Sequence, residues 1–154
     1  MYKKEDFFQV IGHVSVFFST LDVLTSILIS ELVKKSVANK PKYDDTLGIK
    51  FRFLKGLNNE DVNSVKTLKK LNGLIDEAIK ISDERNRYIH DLWVFDDKNI
   101  RKGYIDRLRM KGTNKIGFEK EVSTLSINDL YVFLKGIGNM QESIGKMIKN
   151  KGNI

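Results

Sequence analysis

The chain opens with one long, unbroken helical pattern, and no other feature limits its fold as strongly. From about Lys4 to Val37 no glycine follows Gly12, and the only proline, Pro41, comes later. A continuous helix of that length spans roughly 50 Å at about 1.5 Å per residue. Val14, Phe17, Phe18, Leu21, Leu24, Leu28 and Leu32 recur at helical spacing and form a broad apolar face. Beside it runs a stripe of short polar residues: Ser15, Ser19, Asp22, Ser26 and Ser30. Beyond the stripe, Val16, Val23 and Ile27 make a second, narrower apolar seam. Two apolar strips need two neighbours. One is the core of the chain's own bundle. The other is either a second subunit, which the short serines would let approach closely, or another helix of the same bundle.

The remaining elements follow in order. Asn39 to Asp45 is a break built around Pro41. A shorter helix is expected from about Asp45 to Leu57, with Phe51 and Leu54 inward, Asp45 or Thr46 as its cap, and Gly48 weakening it. A third helix is expected from about Glu60 to Leu92, with Leu68, Leu71, Ile75, Ala78 and Ile79 on its apolar face. The period then changes. Tyr104, Asp106, Leu108 and Met110 alternate with Ile105, Arg107 and Arg109, and Lys115 to Glu119 answers after Gly112-Thr113-Asn114, as in a short β-hairpin or flap. Ser126-Ile127-Asn128-Asp129 resembles a capping box with Asp in place of Glu or Gln. It opens a last helix over about Ile127 to Lys149, with Leu130, Phe133, Leu134, Ile137, Met140, Ile144 and Met147 inward. The expected fold is all-α, a bundle of about four main helices with a flap before the last, and residues 1–154 form a single domain.

Composition narrows the function classes. The chain has no cysteine, which excludes a disulfide framework and thiolate metal sites. The formal net charge of +7 favours a polyanionic partner such as RNA, although solvated lysine faces would produce the same surplus. No secretory signal is evident at the N-terminus. His13, Asp22 and Glu31 make the first helix a poor membrane span, so a cytoplasmic protein with no membrane partner is expected. His13 reads as a partly buried helix residue. No H-E-x-x-H, P-loop or G-x-G-x-x-G occurs, and with one further histidine there is no candidate metal or cofactor site.

The chemistry concentrates in Glu84-Arg85-Asn86-Arg87-Tyr88-Ile89-His90-Asp91-Leu92-Trp93. The stretch holds two arginines, one of two histidines and the only tryptophan. On a helix, Asn86 and His90 share one face. Arg85 lies about 140° around from His90 at about 100° per residue, so it must wrap back or meet the imidazole of a second copy. Arg85, Asn86 and His90 fit an R-x4-H spacing with a polar residue after the arginine. In this the sequence resembles the HEPN superfamily, whose motif is R-x(4–6)-H. Trp93 and the long first helix extend the similarity. The resemblance implies an all-α, usually dimeric protein, and a metal-independent RNA endonuclease in a toxin–antitoxin or antiviral defence role. Some members of the family have lost catalysis.

The same resemblance implies roles for the site. Cleavage through the 2′-hydroxyl needs a proton acceptor, a proton donor for the leaving 5′-oxygen and a cation on the phosphate. Histidine, with an ordinary pKa of about 6.5, serves either proton role. Arginine stays charged and binds phosphate bidentately. His90 is then general acid or base, Arg85 sits on the scissile phosphate, and Asn86 orients. The products are a 2′,3′-cyclic phosphate and a 5′-hydroxyl. One His90 per subunit does not obviously do both proton jobs, which a composite site in a homodimer resolves. Arg87, Arg101, Lys102, Arg107 and Arg109 are candidates for binding the RNA backbone, and Lys111 and Lys115 add to the basic flap. An antitoxin protein is a candidate further partner of such an effector; the competing reading is a catalytically silent helical dimer that binds RNA, a nucleotide or a protein partner. In it Glu84, Arg87 and Asp91 form helical ion pairs worth only tenths of a kcal/mol each.

Overall fold

The computed structural model describes residues 1–113 and 117–149. The element order is α1 (Lys4–Leu32), α2 (Leu47–Lys55), a 3-10 turn (Asn59–Asp61), α3 (Val65–Asn72), α4 (Ile75–His90), β1 (Leu92–Val94), α5 (Asp97–Arg101), β2 (Tyr104–Thr113), β3 (Gly117–Ser126) and α6 (Ile127–Lys149). This corrects the all-α expectation. Among the described residues six α-helices are joined to a three-stranded antiparallel sheet in the order β1-β2-β3, and strands take 16% of those residues, too much for a decorated bundle. The hairpin is a full pair of ten-residue strands, in register from Tyr104 opposite Ser126 to Thr113 opposite Gly117. The expected position of Lys115 lies outside the described residues.

The first helix is the spine of the core, as its pattern requires. It contributes Phe7, Val10, Val14, Phe18, Leu21, Leu28, Ile29 and Leu32 to the buried cluster. It lies along α6, where Phe18 meets Phe133 at 6.1 Å between ring centres and the Gln141 amide donates to the Phe17 carbonyl. Its length and an 18-residue stretch of mean hydropathy 1.6 would by themselves allow a membrane crossing. Here one face of it carries the interior of the domain.

Four boundaries differ from the expected ones; the third helix begins at Val65 rather than Glu60, after the 3-10 turn. The first helix ends at Leu32 rather than Val37. Val33 turns extended and bridges Val62, while Lys34 N–H donates to Asp61 and Asn63 N–H to Leu32. The expected third helix is two helices. Ser64 caps α3 by accepting from Thr67 N–H, and Asn72-Gly73, two poor helix formers in succession, let the chain turn before α4. The helix then stops at His90 because β1 pairs with β2.

Two glycines are set by close approach. Gly48 is buried in α2, and a Cβ there would lie 2.9 Å from Ser82 Oγ of α4, so its missing side chain lets the two helices pack. Gly103 has φ +86° in the turn into β2, and a Cβ would meet the Tyr2 ring at 2.8 Å. The expected caps form: Thr46 accepts from Ile49 N–H on α2, and Ser126 and Asp129 exchange hydrogen bonds of 2.7 and 3.1 Å at the start of α6. The Ser126 backbone N–H, with the Ser126 hydroxyl donating to the same oxygen at 2.8 Å, holds the Asp129 carboxyl below its usual range.

Among the described residues no helix covers the second seam of α1. Val16, Val23 and Ile27 are all exposed. His13, expected to be partly buried, is exposed as well.

Candidate functional site

The end of α4 is held by aromatic packing. Tyr88 is buried, stacks on Phe133 at 4.6 Å and meets Trp93 edge-on at 5.3 Å. Trp93 Nε1–H donates to the Tyr88 carbonyl at 3.1 Å, satisfying a last-turn acceptor that the helix itself leaves free. Burial, then the charge of Glu84, pushes the Tyr88 phenol well above its ordinary range, so it stays protonated and is no base. Asp91 N–H donates to the Arg87 carbonyl and closes the helix.

Strand parity builds the next layer. Ile105, Arg107 and Arg109 share the inner face of β2, and Ile105 is fully buried. That parity draws Arg107 under α4. Arg107 is 2% exposed, with Nη1 2.7 Å from Glu84 Oε1 and its guanidinium 5.5 Å from the centre of the Tyr88 ring and 5.8 Å from that of Trp93. The Asp91 carboxylate is buried among three arginines: Arg87 and Arg107 reach Oδ2 at 3.4 Å and Arg109 reaches Oδ1 at 3.5 Å. Arg87 also spans to β3, at 3.3 Å from Glu121 and 3.0 Å from Ser123 Oγ. Lys111 pairs with the other oxygen of Glu121. That contact, chiefly, holds the Glu121 carboxyl below its usual range, with Arg87 and Arg109 adding to it.

Three carboxylates therefore face three arginines and one lysine. Arg87, Arg107 and Arg109, expected as RNA-backbone contacts, spend most of their charge inside the fold. Arg107 is turned inward altogether. Glu84 pairs with Arg107 rather than along its own helix, while the Arg87–Asp91 pair of the competing reading does form.

The motif residues themselves lie on the other side of α4. Arg85 is half-buried, 5.8 Å from the centre of the Phe18 ring of α1, with Nη1 3.4 Å from Asn86 Oδ1. It lines a cavity of about 200 Å³ together with Asp22, Asp44, Asp45 and Thr46. No carboxylate forms an ion pair with it among the described residues. Asn86 is half-buried and directs its oxygen to Arg85, which leaves its NH₂ as a donor. His90 is exposed at the last residue of α4, and among the described residues it has no hydrogen-bond or ion-pair partner. The fold thus joins Arg85 to Asn86 directly, and Asn86 to His90 by one helical turn. Arg101, the last residue of α5, and Lys102, which follows it, are exposed and stand apart, and Arg101 lines a separate cavity with Met1, Tyr2 and Asp97.

Asp91, expected from the sequence only as a member of helical ion pairs, is the central residue of the ion network. Its signal was present in the β2 alternation, since the parity that buries Ile105 must bury Arg107 and so demand a carboxylate. Among the described residues no group of three histidines or acids is arranged to hold a metal ion. No family model matches this chain, and neither a curated protein nor a solved structure does.

Proposed function

We propose that the protein is a metal-independent RNA endonuclease of the HEPN type, acting as a toxin–antitoxin or antiviral defence effector in the cytoplasm. The observation that carries the reading is the state of His90. It stands in solvent at a helix end, without a partner among the described residues, one turn from an amide whose NH₂ group is free and whose oxygen touches an arginine. A histidine committed to structure would be packed or hydrogen-bonded, as Arg87 and Arg107 are in the same helix–sheet layer.

In this mechanism His90 moves the proton of the 2′-hydroxyl or of the leaving 5′-oxygen. Asn86 donates to a phosphate oxygen. Arg85 turns from its Asn86 contact to the scissile phosphate and stabilises the charge that develops there. A second copy, docked through the exposed Val16, Val23 and Ile27 seam, supplies the second histidine. Backbone contacts fall to Arg101 and Lys102, which are exposed, and in part to Arg87 and Arg109; Arg107 is excluded by its burial. An antitoxin partner would cover the same face.

One observation favours the catalytically silent alternative. Arg85 packs on Phe18 beside a cavity lined by three aspartates, surroundings that repel a phosphate. The test is cleavage of a mixed RNA pool in EDTA by the parent and by His90→Ala at matched dimer content. Cleavage by the parent alone, leaving cyclic phosphate ends and falling about 10²–10⁴-fold in the variant, supports the endonuclease. Binding of RNA by both proteins without cleavage by either supports the silent dimer.

A further inference from the structure

Lys50 is the most deeply buried ammonium among the described residues, 1% exposed, and it sits at a cavity unlike the others. Its Nζ donates to Asp22 Oδ1 at 2.8 Å and to the Tyr43 carbonyl at 2.6 Å. The cavity, about 390 Å³, lies between the second half of α1 and the segment over residues 33–43. Lys35, Lys40 and Lys42 line it together with Lys50, and no aspartate or glutamate does. The three other cavities described above and along α3 each contain at least one carboxylate. Asp22 is already committed to Lys50, and Asp45 accepts from the backbone N–H of Lys42 at 2.6 Å. Lys35, Lys40 and Lys42 have no ion-pair partner among the described residues.

The rest of the lining has a complementary character. Ser26 and Ser30 offer hydroxyls, and Ile29, Val33 and Pro41 form an apolar wall. Tyr43 is 69% exposed, with Lys50 Nζ 5.3 Å from the centre of its ring. Asn39, with φ +57°, turns the segment back so that Lys40 and Pro41 lie over α1. A volume of this order is that of a small-ligand site. Holding like charges around one concavity costs stability unless an anion joins them.

We propose that this cavity binds a phosphorylated small molecule, its phosphate on Lys40, Lys42 and Lys35 and its apolar or planar body against Pro41, Val33 and Tyr43. The site is separate from the Arg85–Asn86–His90 face and does not depend on the nuclease reading. Lys50 is its fixed floor charge, neutralised by Asp22, so the three outer lysines supply the uncompensated field.

The test is calorimetric titration of the full chain with AMP, phenyl phosphate and glucose 6-phosphate, alongside inorganic phosphate and adenosine as the separate halves. At least one organic phosphate should bind about tenfold or more tightly than inorganic phosphate. The Lys40→Glu/Lys42→Glu variant should lose about tenfold or more of that affinity, the loss expected for a charge-assisted contact, and Lys69→Glu/Lys70→Glu on exposed α3 should lose none. Absence of binding by all three organic phosphates, or equal binding by the two double variants, overturns the proposal. So does a short RNA lacking terminal phosphate that binds through Lys40 and Lys42 more tightly than any of them.

Discussion

Arg85 and Arg87 stand two residues apart on α4 and have opposite surroundings. Arg87 points at the sheet and divides its charge between Asp91 and Glu121. Arg85 points at α1, touches an aromatic face and an amide, and has no ion-pair partner among the described residues. Two residues are about 200° on a helix, so adjacent motif positions answer to different neighbours. One side of α4 is a closed electrostatic unit and the other stays open. Cations close together in sequence are thus not interchangeable candidates for a phosphate. What decides is whether a carboxylate already holds them.

The comparison breaks most sharply at Asp91. Asp91→Ala leaves Arg107 buried with only Glu84 and sets three arginines against one another, so unfolding by denaturant should show a loss of about 3–5 kcal/mol. Removing the other partner should cost far less. Arg107→Met keeps a long side chain against Tyr88 and Trp93, while Asp91 retains Arg87 and Arg109, and the same measurement should find about 1 kcal/mol or less. A loss in Arg107→Met equal to that in Asp91→Ala would refute the view of Asp91 as the hub. Trp93→Phe keeps the aromatic contact and removes the bond to the Tyr88 carbonyl, for about 1 kcal/mol. On the open side, His90→Ala should leave stability within about 0.5 kcal/mol of the parent, because no described residue depends on it.

The smallest effect is a pH slope. The folded Glu121 carboxyl lies below its ordinary value because Lys111, then Arg87 and Arg109, favour its charged form. The unfolded chain therefore binds more protons through that window. The contribution is present above the ordinary glutamate value and lost as pH falls through the lowered one. Glu121→Gln should flatten that part of the acid limb in denaturation curves taken across pH. An unchanged limb would mean that Glu121 lies outside the network in solution.

Much of the fold was legible because it rests on local rules. The start of α1, the break at Pro41, the Thr46 cap, the Ser126–Asp129 box and the full extent of α6 follow from capping chemistry and a 3.6-residue period over many turns. These reach only four residues along the chain and need no partner. The expected inward residues of α6 include Leu130 and Ile137, which are fully buried. The motif was legible as a cluster of types, and Asn86 and His90 do share a helical face.

The rest was decided by pairing across distance. Three residues, Leu92 to Val94, have no period of their own and are a strand only because β2 offers its edge. The same pairing ends α4 at His90, makes the flap a sheet and so overturns the all-α expectation. The end of α1 at Leu32 depends on Val62, thirty residues away in sequence. Above all, sequence could count arginines but not assign them. A charged group's role depends on what shares its desolvated space, and Arg107 meets Glu84 and Asp91 only after β2 has docked under α4. Local chemistry determined where helices begin and which residues could act; tertiary contact alone decided which charges remain free to do so.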